Sequence, residues 1–451
     1  MRGALENRLI VLLCIAVVAC GEASSRDSEN GGASGAGATG GSDAGGSGAR
    51  GGAGPAGTGG SAGATGGDAG STAGNGGTDG SAGSGGAGGS AGTTGFEHPG
   101  LLFTISDLER MRRMVGSGVE PYLAGWNRLR AEARASVSYE PTPFAVVTRV
   151  SGGSGAGNAE LRDDAAAAFL NAVEWFVSGD ERHAQTAVKI LNAWSATLTS
   201  IDGDTDRFLA AGLYGYPMAN AAEILRYSYS GWAEADVRRF QDMLLEVFYP
   251  LNHEFLSTHG GSRVDHHFAN WDAAQMVSII TIGVFADDRA KYDEALDYFA
   301  NGPGNGNIMR AVYDGETGQL QESGRDQAHA QLGIGLLATM CETARNQGDD
   351  LYGYDGNRLL KGFEYTAQYL LGYDVPFKTY MDQSRTHTEI SAVNRQQRRP
   401  IYEMVWNHYT QRRGVPAPFS RQIAEAIRPE GWHGDHPSFG TLLFTRPPEV
   451  P

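Results

Sequence analysis

Leu161-Arg162-Asp163-Asp164-Ala165-Ala166-Ala167-Ala168-Phe169-Leu170-Asn171-Ala172-Val173-Glu174-Trp175-Phe176-Val177 puts Leu161, Ala165, Ala168, Phe169, Ala172, Val173 and Phe176 at the three- and four-residue spacing of one helix face. Ser178-Gly179-Asp180 breaks the pattern. A second stripe follows through Ala184, Ala187, Val188, Leu191, Trp194 and Leu198. Working outward, further helical segments are predicted over 217–229, 233–248, 267–285, 291–299, 326–345 and 358–371, with short Gly, Asp or Pro breaks between most of them. No comparable series of alternating β-runs occurs. Many amphipathic helices with short links predict an all-α fold of antiparallel pairs. Closed into a ring, such pairs make an (α/α) toroid, or barrel, of six or seven hairpins with a cleft at one mouth. A solenoid of TPR type would repeat a motif of about 34 residues, and none is found. The longer links at 200–214, 257–266 and 302–321 carry Gly, Asp and His and are expected to line the cleft.

The N-terminus speaks of export. Arg2 and Arg8 precede an apolar run from Leu9 to Ala19 that ends at Cys20. This is the layout of a secretory signal, too short for the roughly 20 apolar residues of a membrane span. Val17-Val18-Ala19-Cys20 resembles a bacterial lipobox, which implies lipidation of Cys20 and makes 1–20 a lipoprotein signal. An ordinary signal peptide with an incidental cysteine is the plainer alternative. The expected address is the periplasmic face of the outer membrane or the cell surface, with membrane contact only through the N-terminal lipid. Residues 21–95 are Gly, Ser, Ala and Thr with scattered Asp, holding 31 of the chain's 65 glycines. So little apolar surface cannot offset ordering entropy, so this stretch is expected to be a disordered tether. The functional module is then 96–451. With Cys14 in the signal and Cys20 lipidated, only Cys341 remains in the mature chain, expected as a buried thiol in the apolar stretch 336–344.

Net charge is −16, and about −13 remains in 96–451 once the four basic and seven acidic residues of 1–95 are set aside. This argues against a nucleic-acid partner. An acidic polysaccharide would need a local basic, hydrogen-bonding cleft within an acidic body.

Two stretches gather polar groups where apolar helices begin. In His266-His267-Phe268-Ala269-Asn270-Trp271-Asp272, the two histidines and Asn270 stand three and four apart and are expected to share a helix face. In Gln321-Glu322-Ser323-Gly324-Arg325-Asp326-Gln327-Ala328-His329, Arg325 and His329 stand one turn apart if the helix runs from Ser323. Blander readings stand beside these. A His–Asn pair commonly caps a helix, and Glu322 with Arg325 could be a surface ion pair of little worth. His266, His267, Glu322 and His329 could ligate a metal, but no HExxH pattern or paired cysteines occur, so no metal or cofactor is expected. A Ser nucleophile lacks a GxSxG elbow. Paired carboxylates for hydrolysis stay open.

Together with Asp374-Val375-Pro376-Phe377-Lys378-Thr379-Tyr380, Arg399-Pro400-Ile401-Tyr402 through Tyr409, and Arg428-Pro429-Glu430-Gly431 through Gly440, these stretches resemble the alginate lyase domain of (α/α)-toroid polysaccharide lyases, and most nearly polysaccharide lyase family 38. The resemblance spans nearly all of 96–445. It implies β-elimination on a β-1,4-linked uronate polymer, alginate (polymannuronate) or glucuronan. That chemistry needs a group to neutralise the C5 carboxylate, a base for the C5 proton and an acid for the leaving O4. The resemblance assigns the neutraliser to Asn270 with Arg325, base or acid to His329, and the partner role to Tyr380. Tyr365, Tyr369, Tyr373 and Tyr402 are the other candidates for that last role. Substrate contacts are expected from His266, His267, Trp271, Glu322, Gln327 and His436. Other lyases of this broad fold place Asn and His side by side; here Trp271 follows Asn270, which leaves base and acid unassigned. The rival readings are a glycoside hydrolase on the same scaffold and a non-catalytic glycan-binding lipoprotein.

Overall fold

A computed structural model describes residues 95–383 and 385–447. The signal, Cys20 and all of the tether but Gly95 lie outside the described residues. The helices are α1 Ile105–Gly116, α2 Tyr122–Arg130, α3 Asn158–Ser178, α4 Glu181–Thr197, α5 Arg207–Ser228, α6 Glu234–Met243, α7 Tyr249–Thr258, α8 Ala269–Phe285, α9 Arg289–Asn301, α10 Ile308–Ala311, α11 Gln327–Asn346, α12 Tyr354–Leu370, α13 Tyr402–Trp406, α14 Pro418–Ile427 and α15 Gly440–Leu443. The strands are short: β1 Val146–Arg149 pairs in parallel with β2 Ser200–Gly203, and β3 Tyr380–Met381 pairs antiparallel with β4 Thr386–His387.

The all-α toroid expected from the sequence is what the chain forms. Helices α3, α5, α8 and α11 pack in succession as the inner wall, and each is buried along almost its whole length. Their partners α4, α6, α9 and α12 lie outside and keep a polar face to water, as the narrower apolar stripes of those helices dictate. Neighbouring inner helices run parallel. Gln275 Nε2 donates to the Phe208 carbonyl at 3.0 Å and Ser278 Oγ to the Ala211 carbonyl at 3.5 Å, three residues further along both α8 and α5. Their N-termini therefore open at the same end, where β1 and β2 also lie.

The expected loop at 200–214 is instead β2 and the first two turns of α5. Pro217, read as a helix start, sits inside α5. A proline there costs about 3 kcal/mol in isolation, and packing outweighs it. Gly212 and Gly215 bring α5 so close to α8 that an added Cβ would stand 2.8 Å from the Ala274 backbone and 2.8 Å from Ser278 Oγ. Similarly, the break expected after 248 is bridged by a π-helical turn over Leu244–Phe248 that runs on into α7.

The first and last helices clasp the ring shut. Asp107 of α1 pairs with Arg110 and with Arg446, and Arg412 lies 3.9 Å away. Arg412 in turn binds Glu342 of α11 at 2.8 Å. Arg110 donates to the Leu443 carbonyl at 2.9 Å and Tyr122 to that of Thr445 at 2.6 Å. Cys341 is buried in α11. Among the described residues, no helix is long and apolar enough to cross a membrane.

Candidate active site

At the mouth, the starts of α8 and α11 face each other across the turn 321–326. The N–H of Ala269 donates to Gln321 Oε1 at 3.1 Å and that of Asn270 to Glu322 Oε1 at 3.0 Å. Two side chains of one turn thus satisfy orphan donors of the neighbouring helix. Asp326 caps α11 by accepting from the His329 N–H at 2.8 Å. The helix therefore begins at Gln327 rather than at Ser323, and 322–326 is a turn. Arg325 and His329 still meet.

A continuous polar chain results. Arg325 Nη1 donates to Glu322 Oε2 at 3.0 Å, and Arg325 Nη2 lies 3.2 Å from His329 Nε2. His329 Nδ1 lies 2.6 Å from Asp326 Oδ2. The His329 and Arg325 contacts hold Asp326's carboxyl down at about 2 against the opposing effect of burial. It is therefore a carboxylate and accepts the Nδ1–H, which leaves the Nε2 lone pair to accept from Arg325 Nη2. Burial pushes Glu322's carboxyl up, with Arg325 pulling the other way. Glu322 is only 2% exposed, so its pairing with Arg325 is an interior one rather than the surface bridge weighed above. Asn270 is equally buried, and its amide oxygen has no hydrogen-bond partner among the described residues.

Tyr380 joins this group from β3. Its hydroxyl oxygen accepts the Gly324 N–H at 3.1 Å, inside the same turn. Burial raises its pKa, so the phenol stays protonated. One element escaped sequence reasoning. His387 of β4 stacks on the Tyr380 ring at 4.9 Å, with its Nε2 2.6 Å from Asp382 Oδ2. Gly324 lies against it so tightly that an added Cβ would come 2.6 Å from the His387 ring. Phe268 was missed too; the Arg325 guanidinium lies 4.1 Å over its ring. The 380–387 segment has no periodicity to mark it, and Phe268 stood inside a stretch read only for its polar groups.

The remaining predicted residues divide. His266 and His267 precede α8 instead of sharing its face, because the helix starts at Ala269. His267 packs on Trp271 at 4.5 Å and on Phe255 at 5.0 Å. Burial and His266 lower its pKa to about 4, so it is neutral at neutral pH. Gln327 is buried and donates to the Ser323 and Ser391 carbonyls at 3.1 and 2.9 Å; it staples the 385–399 segment onto α11 and turns no polar atom to an open surface. His436 is not in the Glu322–His329 group. It is buried against Gly335 of α11, 3.3 Å from Arg399 Nη1, which also binds Asp435 at 2.6 Å. Tyr402 is fully buried, 3.4 Å from Gln331. Among the described residues, no three His, Cys, Asp or Glu converge as a metal would require.

Residues 153–375 match the family model described as alginate lyase, from α3 to just past α12, including Asn270, Arg325 and His329. The domain belongs to the alginate lyase family. It is a polysaccharide lyase domain, and the match ends five residues before Tyr380. Solved structures share the fold. Alginate lyase A1-III from Sphingomonas species A1 is 17% identical with a TM-score of 0.55, covering 78% of this chain and 97% of its own. An alginate lyase from Bacteroides ovatus is 11% identical with a TM-score of 0.52, covering 76% and 99%. A His-to-Ala variant of alginate lyase A1-III complexed with tetrasaccharide is 15% identical with a TM-score of 0.54, covering 76% and 94%. No curated protein sequence matches the chain. In this alginate lyase domain the candidate groups thus come from three pieces: the start of α8, the turn before α11, and the β3–β4 hairpin beyond the family match.

Proposed function

We propose that this chain cleaves a β-1,4-linked uronate polymer, polymannuronate or glucuronan, by β-elimination, in the manner of polysaccharide lyase family 38. The observation that carries this reading is the His329 ring. Its Nδ1 is tied to Asp326, its Nε2 accepts from Arg325, and the ring is partly exposed. Arg325 and the Asn270 amide bind the C5 carboxylate and spread the charge that develops as C5–H breaks. His329 Nε2, released as Arg325 turns to the carboxylate, takes that proton, the C4=C5 bond forms, and the C4–O4 bond breaks. The Tyr380 hydroxyl gives its proton to O4 and is restored from solvent. His266, His267 and Trp271 flank the path at the start of α8, and the inner-helix N-termini add positive potential there. That an alginate lyase of this fold was captured with a tetrasaccharide supports an oligosaccharide-sized cleft. The hydrolase alternative is disfavoured, since Glu322 and Asp326 are both committed to Arg325 and His329. We further propose that Cys20 carries the lipid that holds the domain at the membrane. The test of the reaction is ultraviolet absorbance of the new conjugated double bond on polymannuronate, polyguluronate, glucuronan and hyaluronan. Sugar release without that absorbance would replace elimination by hydrolysis.

A further inference from the structure

The C-terminal end of α3 lies at the far side of the ring from the mouth, since α3 has 21 residues and so spans about 30 Å. There an open cavity of about 730 Å³ lies between the ends of α1, α2 and α3 and the start of α4. Arg112, Arg130, Trp126, Trp175, Glu174 and His183 line it.

Its chemistry is unlike a leftover surface hollow. Trp175 is fixed by donating its indole N–H to Ser228 Oγ at 3.1 Å and is partly exposed at the wall. The Arg130 guanidinium stands 5.7 Å over the Trp126 ring, and that of Arg112 4.2 Å over Phe176. Both arginines are exposed. Glu174 is 1% exposed, yet its Oε1 has no hydrogen-bond partner among the described residues. Its Oε2 is 3.8 Å from His183 Nε2, beyond hydrogen-bond reach. His183 Nδ1 is spent on Asn171 at 2.7 Å. Burial raises Glu174 to about 8, so at neutral pH it is an uncharged acid with a proton to donate. Asp180 at the rim is neutralised by Arg182 at 2.6 Å. The cavity is thus net basic in an acidic chain, with aromatic walls and one buried, unsatisfied carboxyl group.

We propose that this cavity is a second glycan-binding site, remote from the cleft, that holds a segment of the uronate chain. Arg112 and Arg130 take its carboxylates, Trp175 a sugar face, and Glu174 a hydroxyl. The ligand class rests on the uronate reading above; the site itself rests on the cavity. Held there, a polymer is tethered to the enzyme while another part of it enters the cleft.

The test uses the full chain carrying His329→Ala to stop cleavage, titrated calorimetrically with mannuronate and glucuronate tetrasaccharides. Two molecules should bind per chain. Adding Arg130→Glu, a change at an exposed side chain whose folding a thermal melt checks, should weaken one of the two by about tenfold or more and leave the other unchanged. In the otherwise wild-type enzyme Arg130→Glu should leave tetrasaccharide turnover unchanged and raise KM for polymer. A stoichiometry of one, or two sites both indifferent to Arg130→Glu, overturns the proposal, as does equal binding of an uncharged cello-oligosaccharide. Absence of unsaturated product from every uronate polymer while two tetrasaccharides still bind would sink the lyase reading and leave this site standing.

Discussion

Asp326 Oδ2 and His329 Nδ1 are 2.6 Å apart, while the same aspartate's other oxygen caps the helix that carries the histidine. One carboxylate therefore fixes both where α11 begins and which ring nitrogen carries the hydrogen. Asp326→Asn keeps a capping oxygen but loses the charge that selects the tautomer. Turnover should fall by about 10- to 100-fold, as for other groups that orient a reacting ligand, and the melting temperature should fall with the lost charge contact to His329. His329→Ala should cost about 10²- to 10⁴-fold. Steady-state rates beside thermal melts check both, and near-wild-type turnover in His329→Ala would defeat the mechanism.

The pH dependence of the cap follows from its sign. Asp326 is depressed from 3.8 to about 2 in the folded state. Its contribution to stability is fully present above the unfolded value and is lost as pH falls from about 4 through about 2. In Asp326→Asn, acid unfolding should lack that segment of the curve, which urea melts between pH 2 and 5 would reveal.

Glu322 is buried and its partner Arg325 is half-buried, so they should respond unequally to single and double changes. Arg325→Ala leaves a carboxylate unpaired in the interior and should destabilise the domain by about 3 to 5 kcal/mol. Glu322→Gln in the same chain should restore much of the stability without restoring activity, because the carboxylate binder is still gone. If the double variant recovered turnover, Arg325 would be structural only.

The tyrosine role can be separated by two hydroxyl deletions. Tyr380→Phe should lower turnover by about 10²-fold or more with the fold intact. Tyr402→Phe should leave rate nearly unchanged, since Tyr402 is buried against Gln331. The opposite ranking would move the proton donor to α13.

Gly324→Ala probes the hairpin beyond the family match. The new methyl would press on His387 and displace the ring under Tyr380. We expect a loss of about 1 to 3 kcal/mol, typical of overpacking, together with reduced turnover. A stable, fully active variant would show that the hairpin does not position Tyr380.

Much of this was legible because burial writes itself into periodicity. The stripe through Leu161, Ala165, Ala168 and Phe176 is the wall of α3, and the polar breaks mark its ends. Pro217 misled because local propensity is weaker than the close α5–α8 contact at Gly212 and Gly215. The stretches at 266–272 and 321–329 were visible as polar groups at helix starts, so Asn270, Arg325 and His329 could be found. His387 and the Arg399–His436 contact could not. They sit in irregular segments whose positions depend on hydrogen bonds between distant residues, such as Gln327 to Ser391 and Arg399 to Gln331. No pattern along the chain encodes those.

The clasp between α1 and the C-terminal segment gives the ring a seam. Its centre is Asp107, whose carboxyl Arg446 and Arg110 hold well below the usual carboxylate range against the opposing effect of burial. Along the bodies of the inner helices, neighbours are joined by apolar packing and by bonds between uncharged groups such as Gln275 to the Phe208 carbonyl, neither of which senses protons. The seam is joined by charge. Strong acid should therefore part the ring at that one place first, splaying the terminal helices while the α3–α5–α8–α11 wall is still assembled. An opened horseshoe, rather than an unfolded coil, would be the first acid form.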